Sequence, residues 1–131
     1  MALKADDPAW AIGAKVEAFV RTTIIPYESD PRRDHHGAPT EELVRELRAL
    51  ARAEGLMTPH ILPDGAHLTQ EGTAYVLIRS GLSPLGPVAL NTMAPDEGNM
   101  HTIEKWGTDA QKDKYLRPLC EGRMRSCFAM T

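Results

Sequence analysis

The chain has 131 residues, 42% of them hydrophobic and 25% charged, with a formal net charge of −3 at pH 7. This composition is that of an ordinary globular protein, and the length suits one domain with a buried core. The charge balance lacks the basic excess that binding to a phosphate backbone needs, so we expect no nucleic-acid partner.

Apolar runs are short, and the longest uncharged one, AYVLI at 74–78, is far below the roughly 20 residues that cross a bilayer. The first residues, MALKADDPAWAIG, contain no apolar stretch of the kind found in a signal peptide. We therefore predict a cytoplasmic protein with no membrane span.

The first predicted helix begins at Asp7 and Pro8, a capping carboxylate followed by a proline at a position that needs no N–H. Apolar residues then recur every three or four positions. Pro26 disfavours helical geometry in the residue before it, so the helix is expected to end near Ile24. The polar, proline-rich run 26–39 is predicted to be a surface loop.

Two further helices show the same start and stop signals. Thr40 caps the second, which Gly55 ends, and Thr69 caps the third, which Gly81 ends. In the third helix the large apolar side chains are expected to point inward: Tyr75, Leu77, Ile78 and Leu82.

Three more helices are predicted in the second half. A short fourth helix runs from 83–87 through Leu90. Asp96 caps the fifth, which stops at Gly107. A capping box in 108–111 opens the sixth, whose last turn Pro118 should kink or shorten before Gly122 ends it.

After the helices, SCFAMT at 126–131 is typical of a strand. The expected fold class is therefore all-α, a bundle of about six helices with a short C-terminal β-strand. A lone strand has nothing to pair with, so its sheet would have to lie elsewhere.

Two motifs stand at a characteristic distance. The first motif, at 107–122, is the run G-T-x-x-Q-K-x-K-Y-L-x-P-L-x-x-G, and the second, at 128–131, is F-A-M-T. A further run at 90–108, LNTMAPDEGNMHTIEKWGT, ends on the first two residues of the first motif. Together they resemble the N-terminal part of flavin-dependent acyl-CoA dehydrogenases. The resemblance implies that 1–122 form the family's helical N-terminal domain and that 123–131 begin the first strand of a truncated β-domain.

The resemblance also implies a reaction: FAD-dependent α,β-desaturation of an acyl-CoA thioester, with an electron-transfer flavoprotein as acceptor and a homo-oligomeric full-length parent. The family's glutamate base lies in a C-terminal domain, so we expect no catalytic residue in this chain and no activity from the chain alone. The carboxylates of Glu71, Glu97 and Glu104 are interpreted as solvated helix-face charges.

By the same resemblance, Phe128, Met130 and Thr131 are expected to lie beside the flavin. The candidates for contact with the acyl chain are Leu90, Met93 and Met100, with ordinary core packing as the alternative for each. Acyl chain length and substituents do not follow from the sequence.

A different class of function remains open, that of a non-catalytic helical module binding another protein through the face that once packed on the β-domain. An apolar, unsatisfied face would favour the dehydrogenase parent, whereas an evenly polar surface on a monomer would favour the module.

The histidines do not indicate a metal site. His35 and His36 are adjacent in the polar loop and are expected to be solvated. The other three, His60, His67 and His101, are scattered along the sequence and are each expected at the surface or at a helix cap.

Some remaining residues have simple interpretations. Arg32 and Arg33 are expected to be exposed charges, with contact to coenzyme A phosphates as the alternative. Trp106 is predicted to be a core anchor between the fifth and sixth helices. Cys120 and Cys127 are expected to be free thiols.

Overall fold

The computed structural model describes residues 3–61 and 66–130. Within these residues the chain forms six helices in sequence, joined by turns and loops. Their bounds are α1 Ala9–Phe19, α2 Glu41–Ala53, α3 Gln70–Ser80, α4 Gly86–Ala89, α5 Asp96–Trp106, and α6, which consists of the consecutive pieces Asp109–Gln111, Lys112–Leu116 and Arg117–Cys120. The predicted all-α class is confirmed.

The predicted C-terminal strand is not formed by the residues described. Residues 124–130 have no regular secondary structure, and Thr131 lies outside the described residues. A strand requires a hydrogen-bonded neighbour, and the described chain supplies only two isolated bridges, Arg33 with Pro39 and Ile61 with His67.

The predicted helix starts and stops are largely confirmed. Thr40 and Thr69 each accept a hydrogen bond from the backbone N–H three residues on, and Thr108 forms a complete capping box with Gln111. Gly55 has a φ of +67°, and the following N–H donates back to Ala51 O, which is the expected glycine stop.

One proline effect differs from expectation. The chain does not leave helical geometry at Ile24 but continues through a π turn, Val20–Ile24, and a 3₁₀ segment, Ile25–Ser29. Pro26 lies in the first turn of that segment, where no N–H is needed. Pro118 lies in a short last piece, Arg117–Cys120, which follows the π segment Lys112–Leu116.

The core lies between α1, α2, α3 and α4. α1 packs chiefly on α3, and α2 on α4, while α5 packs on α6. The buried apolar cluster comprises Ala9, Val16, Phe19, Val20, Ile24, Leu43, Leu47, Ala51, Leu56, Leu68, Val76, Leu85, Ala89 and Leu90.

The inward face of α3 is only partly the one predicted. Tyr75 packs against the core as expected and Leu77 is half-buried, but the fully buried residues are Gly72, Val76 and Ser80. Ile78 is 69% exposed and Leu82 is also exposed, so the prediction is wrong for these two. α1 approaches so closely that a Cβ on Gly13 would stand 2.5 Å from the Tyr75 ring. Gly13 is required in this contact because a larger residue there would collide with the Tyr75 ring.

Candidate functional site

The segment 123–130, called here the terminal segment, is attached to the first turn of α5. Ser126 donates from both its N–H and its Oγ to Asp96 Oδ1, at 2.6 Å each, and Asn99 Nδ2 donates to Ser126 Oγ at 2.8 Å. Asp96 is buried, and its carboxylate accepts hydrogen bonds from Ser126 rather than from the first turn of α5. The prediction that it caps α5 is therefore wrong. It positions the terminal segment instead.

Beyond this attachment the terminal segment presents bare apolar side chains. Phe128 is 71% exposed and Met130 is 83% exposed. Large exposed apolar side chains in one short stretch are typical of a contact surface. Their contact with a flavin stays a prediction, and the third expected contact, Thr131, lies outside the described residues.

The three predicted acyl-chain contacts lie in two environments. Leu90 and Met100 are completely buried, as core residues are, whereas Met93 is exposed between α4 and α5. Of the three, only Met93 reaches the surface of this chain. Contact with an acyl chain stays a prediction for all three.

A second apolar surface lies where α5 meets α6. Ile103, Trp106 and Tyr115 line a shallow groove of about 230 Å³. Trp106 is 76% exposed, with the Lys105 ammonium 5.2 Å from its ring centre, so the prediction of a core anchor is wrong. We expected it to be buried because large aromatic residues usually are; instead it forms part of an exposed apolar face.

A buried arginine missed by the sequence reasoning joins three helical regions. Arg48 of α2 donates to Val88 O, to Gly122 O and to Asn91 Oδ1, at 3.3, 3.0 and 3.0 Å. Asn91 in turn donates to Leu119 O at 2.8 Å. Burial lowers the pKa of the Arg48 guanidinium, while the charge of Asp96 opposes that change. This network sets the positions of α4 and α6 on α2.

Three histidines that are scattered along the sequence lie together in the fold. His60 and His67 both lie within the connection between α2 and α3, and His101 lies on α5. Their ring centres are 6.2 Å apart for His60 and His67, 6.0 Å for His60 and His101, and 4.2 Å for His67 and His101. His60 is 0% exposed, so its predicted surface position is wrong.

Glu97, one turn before His101, extends this cluster. Its Oε1 lies 2.9 Å from His101 Nε2 and 3.8 Å from His60 Nε2. The interpretation of Glu97 as a merely solvated charge is therefore wrong. Burial, together with the charges of the neighbouring histidines, lowers the pKa of His60 to about 4, and burial also lowers the pKa of His67. Both imidazoles are thus neutral at pH 7.

The loop arginines are not free charges. Arg32 donates to Asp30 Oδ2 at 2.8 Å and to Glu46 Oε2 at 2.6 Å, and Tyr27 donates to Glu46 Oε1 at 2.8 Å. Arg33 donates to Gly37 O. These contacts tie the polar loop to α2. The adjacent pair at 35 and 36 is exposed as predicted, and both cysteines are free.

Acidification should weaken this loop attachment. Hydrogen bonds from Arg32 hold the pKa of Asp30 and of Glu46 below their ordinary values of 3.8 and 4.5. The network therefore stabilises the fold above about pH 4.5 and loses that contribution as the pH falls through the lowered values. As the pH is lowered from 6 to 3, the urea concentration at the unfolding midpoint should fall less steeply for Arg32→Gln than for the unaltered chain. Arg21→Gln, which removes an exposed pair with Glu17 in α1, should leave the slope unchanged.

Among the described helices none combines the length and apolarity that a bilayer crossing requires. The matches to other proteins are consistent along the chain. Residues 9–123 match the family model for the acyl-CoA dehydrogenase N-terminal domain.

Two curated relatives show how far the likeness extends. Acyl-CoA dehydrogenase family member 11 of Gallus gallus is 34% identical over 124 residues, covering 89% of this chain and 16% of that protein. Acyl-CoA dehydrogenase family member 10 of Mus musculus is 35% identical over 123 residues, covering 86% and 12%. The chain thus spans less than a fifth of the length of either relative.

A solved structure assigned to an acyl-CoA dehydrogenase from Mycobacterium abscessus superposes with a TM-score of 0.73 at 30% identity. The superposition covers 95% of this chain and 34% of that one. The fold and the sequence therefore point to the same family and to the same part of it.

Proposed function

Because the chain belongs to the acyl-CoA dehydrogenase family, in which it corresponds to the N-terminal domain, we propose that it forms one wall of a site that desaturates an acyl-CoA thioester. The observation that carries the proposal beyond family membership is the terminal segment. Ser126 is fixed on α5, and the apolar side chains of Phe128 and Met130 beyond it remain largely exposed among the residues that the structure describes.

The residues present fit an aromatic cofactor. Phe128 and Met130 offer an apolar aromatic ring and a polarizable thioether, both of which pack well against a planar ring system. FAD, when bound, would supply the acceptor for the β-hydrogen of the substrate. Thr131, with its hydroxyl, is proposed as the polar contact at the same cofactor.

The chain's own contribution to the reaction is positional. Met93, with Leu90 and Met100 behind it, is proposed to shape the apolar wall beside the acyl chain. No base is assigned to Glu71, Glu97 or Glu104, and the proton-abstracting glutamate is proposed to lie outside these 131 residues. Residues 123–131 are proposed to begin the β-domain that follows 1–122.

The proposal extends to the whole protein. We assign it a cytoplasmic location, an acyl-CoA substrate, an electron-transfer flavoprotein as acceptor and a homo-oligomeric state. The groove at Trp106 and Tyr115 offers an apolar surface for such contacts between chains or domains. The alternative, a non-catalytic module that binds another protein through the same apolar surfaces, predicts no flavin at all.

One experiment tests the proposal. The complete reading frame that contains these residues should purify with FAD, and acyl-CoA thioesters in a panel of chain lengths should bleach its flavin absorbance under anaerobic conditions. Phe128→Ala should weaken FAD binding by about tenfold, the loss of roughly 1.4 kcal/mol of apolar contact. Met124→Ala, placed before the Ser126 attachment, is the matched control and should bind FAD normally.

The outcomes separate the alternatives. The 131-residue chain by itself should neither retain FAD stoichiometrically nor turn over any acyl-CoA. A complete protein that stays colourless and still binds a protein partner would establish the module. Equal losses in the Phe128→Ala and Met124→Ala variants would contradict the assigned flavin contact.

A further inference from the structure

Three imidazoles from distant positions meet at one point of the fold. One nitrogen from each of His60, His67 and His101 can be chosen so that all three lie within 4.8 Å of one another. Two of the residues lie within the α2–α3 connection, and the third lies in the middle of α5. Packing alone does not require three imidazoles here, because aliphatic side chains could fill the same volume.

Three ring nitrogens of this cluster are buried without a hydrogen-bond partner. His60 is 0% exposed, and neither its Nδ1 nor its Nε2 has a hydrogen-bond partner; His67 Nδ1 is buried and unpartnered as well. Buried polar atoms in folded proteins are nearly always paired, and each unpaired one costs about 1–3 kcal/mol. A bound cation would take up one lone pair from each ring.

We propose that His60, His67, His101 and Glu97 bind one divalent transition-metal ion of the zinc class. Imidazole nitrogen and carboxylate oxygen are ordinary ligands for zinc, whereas calcium and magnesium take oxygen ligands and copper(I) favours thiolates. Cys120 and Cys127 take no part in the cluster. The proposed ligand set is the three imidazoles, which lie within reach of one another, and the carboxylate of Glu97, which lies beside two of them.

The distances suit a small tetrahedral site after a modest closure. Zinc–nitrogen bonds of about 2.0–2.1 Å place neighbouring ligand atoms about 3.4 Å apart in a tetrahedron. Glu97 Oε1 lies 2.9 Å from His101 Nε2 and 3.8 Å from His60 Nε2, on either side of that value. His67 and His101 are partly exposed, so their rings can rotate inward by the remaining distance.

An ion can reach the cluster from solvent. A surface pocket of about 240 Å³, lined by Leu68, Gln70, Thr73, Glu97 and His101, opens beside it. Neutral imidazole is the form of the side chain that binds a metal ion. With four protein ligands the site is structural, and it clamps the α2–α3 connection onto α5.

Metal binding to the folded state alone must raise its stability. The 131-residue chain, purified without a histidine tag and stripped with EDTA, should bind one equivalent of Zn²⁺ by calorimetry, with a Kd below about 1 µM. At one hundred times the Kd, the melting temperature should rise by about 10 °C, and EDTA should reverse the rise. Co²⁺ in its place should give the strong visible absorption of a four-coordinate ion.

Variants separate the site from adventitious binding. His101→Ala removes a partly exposed ligand and should fold normally in EDTA, yet lose at least a hundredfold in Zn²⁺ affinity. Glu97→Gln should lose about tenfold. His36→Ala removes an exposed loop histidine, the matched control, and should bind as the unaltered chain does.

Two results would overturn the site. One is the absence of a saturable equivalent of Zn²⁺ at 10 µM protein, with far-UV circular dichroism showing a folded chain. The other is a stoichiometric equivalent that His36→Ala weakens as much as His101→Ala. Neither result bears on flavin binding by the complete protein, so the metal site and the proposed function stand or fall separately.

Discussion

Replacing Arg48 by alanine is expected to lower the free energy of unfolding by about 3 kcal/mol, one of the two largest effects we predict for a single substitution in this chain. The guanidinium donates to Val88 O, Gly122 O and Asn91 Oδ1, and the substitution leaves all three acceptors without that donor. The acceptor on Asn91 is buried and the other two are partly buried. An unsatisfied buried acceptor costs about 1–3 kcal/mol, and the total is offset in part because a buried charge is no longer desolvated.

Urea unfolding followed by circular dichroism measures this loss as a shift of the midpoint at constant slope. Arg52→Ala, four residues along the same helix, is the matched control: Arg52 is exposed and donates only to Glu121 O, so less than about 1 kcal/mol should be lost. Arg48→Lys keeps the charge but not the planar fork, and should restore only part of the stability. Equal losses for Arg48→Ala and Arg52→Ala would contradict the network's role.

Gly86→Ala should be similarly damaging, at about 3 kcal/mol. A Cβ at this position would stand 1.9 Å from the carbonyl oxygen of Ser80 and 3.5 Å from Val20 Cγ2. The nearest atom belongs to the backbone at the end of α3, so no side-chain rotation can relieve the overlap. α4 would have to move away from α3, which would open the packing around Leu85 and Ala89.

Gly98→Ala, in contrast, should raise the free energy of unfolding. Gly98 is inside α5 with nothing within 4 Å of an added Cβ, so alanine should stabilise the chain by about 0.5–1 kcal/mol through its higher helix propensity. Thermal and urea unfolding of both variants give the comparison. A neutral Gly86→Ala would contradict the close approach of α4 to the end of α3.

Local sequence signals predicted the helices well because they act over three to five residues. A threonine hydroxyl that caps, as at Thr40 and Thr69, needs only the next turn of backbone. The glycine stop at Gly55 depends on its own φ. Pro26 was the exception, since it was accommodated by a change to a 3₁₀ segment that its immediate neighbours do not reveal.

The candidate sites were predicted unevenly. The motif at 107–122 and the F-A-M-T run identified the family, which the domain match and the solved structure confirm. Periodicity did not show that Ile78 and Trp106 are exposed, because it marks apolar residues without saying which of them meets another helix. It also gave no sign of the buried guanidinium of Arg48.

The sequence by itself determined the helical class, the family and the helix ends that a threonine cap or a left-handed glycine marks, because these depend on short-range hydrogen bonding and on runs of specific residues. Only the tertiary structure decided which side chains meet. It brought together His60, His67 and His101, and it placed Asp96 within hydrogen-bond distance of Ser126. The physical reason is that such contacts join residues separated by tens of positions, and their distances are set by how α2, α3, α5 and α6 pack.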